Sequence, residues 1–167
     1  GINRPVRCTI NPEVILGEEA HTSMKVNKPV NVVVIGGGTA GLEAACTAAE
    51  VGCTTFLFEA KPYLGGLARE IAKLPAKDRI NDFPNYLINR AKKLRNLYIF
   101  TNTTATMEVI ENLKPDVVVN ATGSTPLLPP ITGLHDRVDK EDSKVLSIFG
   151  LINNIEKFNE IDLEGKK

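Results

Sequence analysis

The chain has 167 residues, of which 43% are apolar, so it can bury one hydrophobic core but is short for two complete domains. Lys plus Arg and Asp plus Glu number 20 each, and no basic stripe is interleaved with aromatic residues, which argues against nucleic acid as a partner. No apolar run is long enough to span a bilayer and no signal peptide is recognisable, so we expect no membrane partner. The cysteines Cys8, Cys46 and Cys53 lack CxxC spacing, which favours a reducing compartment and predicts a cytoplasmic protein.

The ends of the sequence are typical of a piece of a longer protein. The chain begins Gly-Ile-Asn, without an initiating methionine, and ends Leu-Glu-Gly-Lys-Lys, a polar turn of the kind that precedes a strand. Residues 1–28 contain two prolines and little periodicity, which predicts an irregular arm. Cys8 in this arm is on its own more often an ordinary thiol than a cluster ligand, because an iron-sulfur centre generally needs about four thiolates.

The segment after the arm has the pattern of a βαβ unit. Residues 32–35 are β-branched and predict a strand covered on both faces in a parallel sheet, and the alanine-rich residues 39–51 predict a helix. Between them Gly36, Gly38 and Gly41 form GxGxxG. These glycines permit a tight turn, close approach of a pyrophosphate and close packing of the helix on the sheet, with the helix dipole facing the pyrophosphate.

An acidic residue follows the next strand. Residues 54–58 predict that strand, and Glu59 ends it about 20 residues after Gly38, at the offset of a ribose-binding acid. A carboxylate accepts hydrogen bonds from both ribose hydroxyls but repels a 2′-phosphate, so the unit favours FAD or NAD over NADP. A purely structural glycine turn is the alternative, and the register of strand, turn, helix, strand and acid favours dinucleotide binding.

A second glycine pair follows the acid. Pro62 forbids continuation of a helix, and Gly65 and Gly66 either let backbone approach a ligand closely or form a simple loop.

The remaining elements are short. Residues 78–95 predict an amphipathic helix that begins near its proline. Strands are predicted over residues 97–100 and 117–120, the second as a buried strand, with a short helix over residues 107–113 between them. A last helix is predicted from a Ser143 cap through Phe149.

Small residues follow the last strand at Ala121, Thr122 and Gly123, at the strand end where an open α/β sheet places its ligand. His21 and His135 are far apart and have no serine or cysteine elbow near them. We therefore assign no catalytic residue.

These motifs resemble the first nucleotide-binding domain of the two-dinucleotide flavoprotein oxidoreductases. The matching segments are residues 35–45, 58–59, 64–66 and 116–123. Within that superfamily the chain resembles the C-terminal half of the NADH:flavin oxidoreductases related to old yellow enzyme, such as 2,4-dienoyl-CoA reductase and trimethylamine dehydrogenase. The resemblance implies an α/β fold, a Rossmann-like FAD/NAD(P)-binding domain with a central parallel sheet, present as an incomplete fragment.

The resemblance also implies a cofactor and its contacts. FAD, or ADP in its place, would be held by the glycine turn, the segment after Glu59 and the Ala-Thr-Gly turn, with Glu59 on the adenosine ribose and Ala105 at the adenine edge. The implied cofactor-binding residues are Gly36, Gly38, Thr39, Ala40, Gly41, Glu59, Ala60, Lys61, Gly65, Gly66, Leu67, Ala105, Ala121, Thr122 and Gly123. Cys8 resembles the last ligand of that family's 4Fe-4S cluster, whose other cysteines would precede Gly1.

By the same resemblance, residues 1–28 end an iron-sulfur segment, residues 29–134 form the FAD-binding domain and residues 135–167 lead toward a missing NADH-binding domain. In the parent chain electrons would pass from NADH to FAD, then through the cluster to FMN in a barrel domain. The chain has no second GxGxxG, so we expect it to be inactive alone. Two alternatives remain open: a module that holds ADP or FAD without a redox step, and a single-Rossmann NAD dehydrogenase.

Overall fold

A four-stranded parallel sheet organises the protein, whose computed structural model describes residues 25–125, 127–141 and 143–155. The strands are β1 (Asn31–Ile35), β2 (Thr54–Phe58), β3 (Leu97–Phe100) and β4 (Val117–Asn120). They lie side by side in the order β3-β2-β1-β4, and every pair is parallel. This is the order of the first four strands of the classic Rossmann sheet, 3-2-1-4-5-6. The predicted α/β class with a central parallel sheet is confirmed.

The helices follow the strands in alternation. They are α1 (Thr39–Glu50), α2 (Gly66–Ile71), α3 (Asp82–Ala91), α4 (Met107–Asn112), α5 (Leu134–Arg137) and α6 (Ile148–Asn153), with a 3-10 turn at Asp78–Asn81 before α3. Among the described residues, no helix is both long and apolar enough to cross a bilayer.

The hydrophobic core lies where α1 and α3 pack on one face of the sheet. Val34 and Leu57 on the central strands are fully buried in one cluster with Leu42 and Cys46 of α1 and Leu87 of α3. Burial of each such side chain stabilises the fold by about 1.5 to 3 kcal/mol. The core therefore fixes how α1 lies against the two strands that precede and follow it.

Arg90 joins α3 to α1 through two carboxylates. Its Nη2 donates to Glu50 Oε2 at 2.5 Å, and its Nη1 donates to Glu43 Oε1 at 2.8 Å. The hydrogen bond to Glu50 is the main cause that raises the pKa of Arg90 further above its usual value. Arg90, near the C-terminal end of α3, thus links the two helices that pack on the sheet.

The exposure of β4 differs from the expected buried strand. Val117 is 47% exposed and Val118 is 46% exposed. Among the described residues β4 pairs with β1 alone and forms one edge of the sheet. A β-branched run predicts a strand, but it does not distinguish a central strand from an edge strand.

Two short helices were not anticipated in their observed positions. Helix α2 begins at Gly66, where the sequence patterns predict no helix. Helix α6 begins after Ser147 and not after Ser143, because Ser147 Oγ accepts a hydrogen bond from Gly150 N at 3.0 Å. The Ser143 hydroxyl instead accepts from Val145 N and forms a local turn.

We expect Thr55→Val to stabilise the protein. Thr55 is fully buried between Val32 and Leu97 on the neighbouring strands, and its Oγ1 has no hydrogen-bond partner among the described residues. Valine keeps the shape of the side chain and removes the unpaired hydroxyl, which should raise the free energy of unfolding by about 1 kcal/mol. Urea denaturation followed by circular dichroism measures the change. Thr54→Val, on the half-buried neighbour, is the control; a Thr55→Val variant less stable than wild type contradicts the argument.

Candidate functional site

The strands end together at one edge of the sheet. Their last residues are paired across all four strands and form one row, namely Phe100, Phe58, Ile35 and Asn120. The ladder continues one residue further, because Gly36 N donates to Phe58 O and Ala121 N donates to Ile35 O, both at 2.8 Å. In open α/β sheets this carboxyl edge is the place where ligands bind.

The glycine turn at this edge leaves no room for two side chains. A Cβ on Gly36 would lie 2.3 Å from Ala121 O, and a Cβ on Gly41 would lie 1.8 Å from Gly36 O. Gly36 also has φ of 105°, a conformation that only glycine adopts without strain. Both glycines are therefore required by the packing of the turn against α1 and β4.

Gly38 is different, because its surroundings are open. A Cβ there would meet nothing closer than Gly66 Cα at 3.8 Å, and its φ of −73° suits any residue. Gly38 precedes the 12-residue helix α1, and no side chain caps the helix. The N–H groups of Thr39, Ala40 and Gly41 belong to the first helical turn, where N–H groups have no acceptor within the helix. Free N–H groups at a helix N-terminus are the arrangement that binds phosphate groups.

The Glu59 carboxylate is turned into the glycine turn. Its Oε2 accepts a hydrogen bond from Gly37 N at 2.7 Å, and its Oε1 accepts one from Lys61 N at 2.8 Å. Each carboxylate oxygen can accept a second hydrogen bond. The side chain is thus oriented by two backbone donors while it keeps two acceptor positions for a ligand.

Gly37 is a residue of the site that the GxGxxG spacing did not identify. Besides its bond to Glu59, its carbonyl accepts a hydrogen bond from Gly65 N at 2.8 Å. A Cβ on Gly37 would lie 2.5 Å from Leu64 Cδ2 and 2.9 Å from Glu59 Cβ. GxGxxG leaves this position free, so the only signal in the sequence was the third consecutive glycine.

The glycine pair Gly65 and Gly66 packs on the glycine turn. A Cβ on Gly66 would lie 2.7 Å from Gly38 Cα, and φ is 111° at Gly65 and 56° at Gly66. Gly66 therefore lies against the glycine turn of the protein itself. The close approach of a ligand to Gly65 and Gly66 stays a prediction. Leu67 follows on α2 and is 46% exposed.

The segments after β2 and β3 are tied to each other. Thr103 N donates to Glu59 O at 2.9 Å, and Asn102 N donates to Lys61 O at 2.8 Å. Ala60 and Lys61 are exposed, and Ala105 lies in the irregular residues 101–106 that these bonds hold at the sheet edge. The predicted adenosine side of the site is therefore one connected surface.

The predicted segment of Ala121, Thr122 and Gly123 follows β4, which lies on the side of β1 opposite to β2. Ala121 Cβ is 3.3 Å from the place that a Cβ on Gly41 would take, so Ala121 contacts the glycine turn. Thr122 and Gly123 follow it and are exposed. The structure thus brings Ala121 to the glycine turn. The predicted cluster ligand Cys8 lies outside the described residues.

A family model described as FAD dependent oxidoreductase matches residues 31–122, which contain the whole sheet and the glycine turn. The chain belongs to this family. An NADH oxidase of Thermoanaerobacter brockii is 36% identical over 152 residues, which are 90% of this chain and 22% of the oxidase.

Solved structures of longer chains share this fold. A complex of 2-naphthoyl-CoA reductase with 2-naphthoyl-CoA is similar, with a TM-score of 0.73 and 28% identity over 89% of this chain and 22% of the reductase. The 6-hydroxypseudooxynicotine amine oxidase of Pseudomonas geniculata N1 has a TM-score of 0.62 and 28% identity over 71% of this chain and 18% of the oxidase. The chain spans about a fifth of the length of these relatives.

We expect Cys46 to be unreactive in the native protein. Burial raises its pKa to about 11, in spite of the nearby Arg90 guanidinium, which lowers it. The thiolate is the reactive form, so about one Cys46 in a thousand is reactive at pH 8. Peptide mass spectrometry after treatment with iodoacetamide should find Cys46 unmodified, and the same treatment in concentrated urea should modify it fully. Equal labelling rates in the two conditions would show that the thiol is not buried.

Proposed function

We propose that this chain is the FAD-binding part of a longer NAD(P)H-dependent flavoprotein oxidoreductase. The observation that carries the proposal is the Glu59 carboxylate held 2.7 Å from Gly37 N, beside the open backbone of Gly38. One corner of the sheet therefore offers N–H donors suited to a diphosphate and acceptors suited to the two hydroxyls of a ribose. Membership of the FAD dependent oxidoreductase family supports FAD as the ligand.

The roles of the residues follow from their positions. Gly38 leaves space for the diphosphate, and the first N–H groups of α1, at Thr39, Ala40 and Gly41, donate to it. Glu59 accepts from the adenosine ribose, and its negative charge disfavours a ribose that carries a 2′-phosphate. When bound, the isoalloxazine of FAD supplies the redox chemistry, and this chain binds and orients the cofactor.

The adenine lies in this proposal along the surface formed by Ala60, Lys61 and Ala105. Gly65 and Gly66 pack on the glycine turn, and in this proposal they close the outer side of the diphosphate together with Leu67, which follows them. The remaining contacts, toward the flavin half, come from Ala121, Thr122 and Gly123 at the end of β4.

For the parent protein, we propose transfer of electrons from NADH to FAD and then through a 4Fe-4S cluster to FMN. The NADH oxidase relative supports NADH as donor, and Cys8 is the proposed cluster ligand within this chain. In this scheme residues 29–134 are the FAD-binding domain and residues 135–167 lead to the NADH-binding domain. The relatives are long enough for such further domains, since this chain covers about a fifth of them.

A module that holds ADP without a redox role is the second candidate. The glycine turn and Glu59 address a diphosphate and a ribose, which are the groups that ADP and FAD share. Visible flavin absorbance of the purified protein, or its absence with a bound adenine nucleotide, distinguishes the two functions.

Gly38→Ala tests the proposed diphosphate position. The added methyl meets no protein atom closer than 3.8 Å, so we expect the free energy of unfolding to stay within about 1 kcal/mol of wild type. The same methyl occupies the space assigned to the diphosphate, so the Kd for FAD should rise by about tenfold or more in isothermal titration calorimetry.

Gly52→Ala is the matched control at the other end of α1. Gly52 has φ of 106°, so alanine there should destabilise the protein by about 1 to 3 kcal/mol. Its affinity for FAD should not change at a temperature where the variant is folded. If the Gly38→Ala variant binds FAD as tightly as wild type, the diphosphate does not lie at Gly38 and the proposed position is wrong.

Glu59→Gln tests the ribose contact. We expect weaker ADP binding by about tenfold and a smaller preference for ADP over its 2′-phosphorylated analogue, because the repelling charge is gone. The two backbone donors lose a charged acceptor, so stability should fall by about 1 to 3 kcal/mol. Calorimetric titrations with both nucleotides measure the preference, and Glu111→Gln on an exposed position of α4 is the control. An unchanged preference contradicts the proposed contact.

A further inference from the structure

The side chain of Asn120 is hydrogen-bonded to the turn that follows β4. Its Oδ1 accepts a hydrogen bond from Thr122 N at 3.2 Å and another from Thr122 Oγ1 at 2.9 Å. One oxygen therefore takes both hydrogen-bond donors of Thr122. The threonine is left with its hydroxyl oxygen as an acceptor, directed by the bond that its own hydrogen makes.

This turn lies beside the glycine turn. Ala121, between Asn120 and Thr122, is held against Gly36 and Gly41, since its carbonyl would be 2.3 Å from a Cβ on Gly36. The bonds to Asn120 thus tie the chain after Ala121 to the end of β4. Beyond it, Gly123 has φ of 83° and an open side, with nothing within 4 Å of the place that a Cβ would take.

The order of the strands assigns this turn to one half of a dinucleotide. In the sheet β1 lies between β2, which is followed directly by Glu59, and β4, which ends in Asn120. If the ribose lies at Glu59 and the diphosphate at Gly38, the rest of the ligand extends toward β4. The group that meets Thr122 is therefore distal to the adenosine.

We infer that Asn120 is a positioning residue for the distal half of the bound dinucleotide. It holds Thr122 so that the hydroxyl oxygen accepts a hydrogen bond from a hydroxyl-bearing linker, as in the ribityl chain of a flavin nucleotide, while the N–H of Thr122 is withheld from the ligand. The inference rests on the proposed function, since it needs a dinucleotide at the glycine turn.

The test compares ligands that share the adenosine half. We measure the Kd of FAD and of ADP for the full chain by calorimetry in wild type, Asn120→Ala, Asn120→Asp and Thr122→Val. Asn120→Ala should weaken FAD binding by about tenfold and change ADP binding by less than about twofold. Asn120→Asp keeps an acceptor for both donors of Thr122 and should keep the ratio of the two Kd values near that of wild type. Thr122→Val should change the ratio in the same direction as Asn120→Ala.

The ratio separates positioning from general support of the fold. A merely structural role would weaken FAD and ADP by the same factor, and that result, or an unchanged ratio in Asn120→Ala, overturns the inference while the proposed function stands. A wild-type chain that binds neither ligand overturns the proposed function and the inference with it. Asn112→Ala, at an exposed asparagine at the end of α4, controls for loss of a surface amide.

Discussion

The contact of α1 with the end of β1 is the constraint on which the rest of this structure depends. Gly41 lies so close to the carbonyl of Gly36 that no side chain fits between them, and Ala121 presses on the same point from β4. This packing puts the N terminus of α1 directly at the carboxyl edge of the sheet. The helix, the Glu59 carboxylate and the turn after β4 come together there because Gly36 and Gly41 have no side chains and Ala121 has only a methyl group.

A layer of polar contacts supports this corner from outside. Gly66 packs on Gly38 and opens α2, whose buried Glu70 accepts hydrogen bonds from Tyr63 Oη at 2.8 Å and from Lys73 Nζ at 2.6 Å. The bond from Lys73 is the main cause that lowers the pKa of Glu70. The charged form of a largely buried carboxylate therefore holds together the loop and the helix that cover the glycine turn.

Sequence patterns predicted most of the fold because short apolar runs between breakers leave few alternatives. The bounds predicted for β2, β3 and β4 match the structure, and GxGxxG with an acid at the expected offset led to Glu59. What the patterns missed depends on three-dimensional neighbours. Helix α2 begins with glycines that usually end helices, and the exposure of β4 depends on which strand lies beside it. The hydrogen bonds that join Gly37 to Glu59 and Asn120 to Thr122 are described by no spacing rule.

The exposed outer edge of β4 has a practical consequence for work on the chain in isolation. Valine side chains of Val117 and Val118 stand beside a row of backbone groups that no described strand pairs with. Such an apolar edge is a template for a strand from another molecule. Among the described residues the protein therefore presents an apolar edge to which a strand of another molecule can pair, and a charged residue placed in β4 would disfavour that pairing.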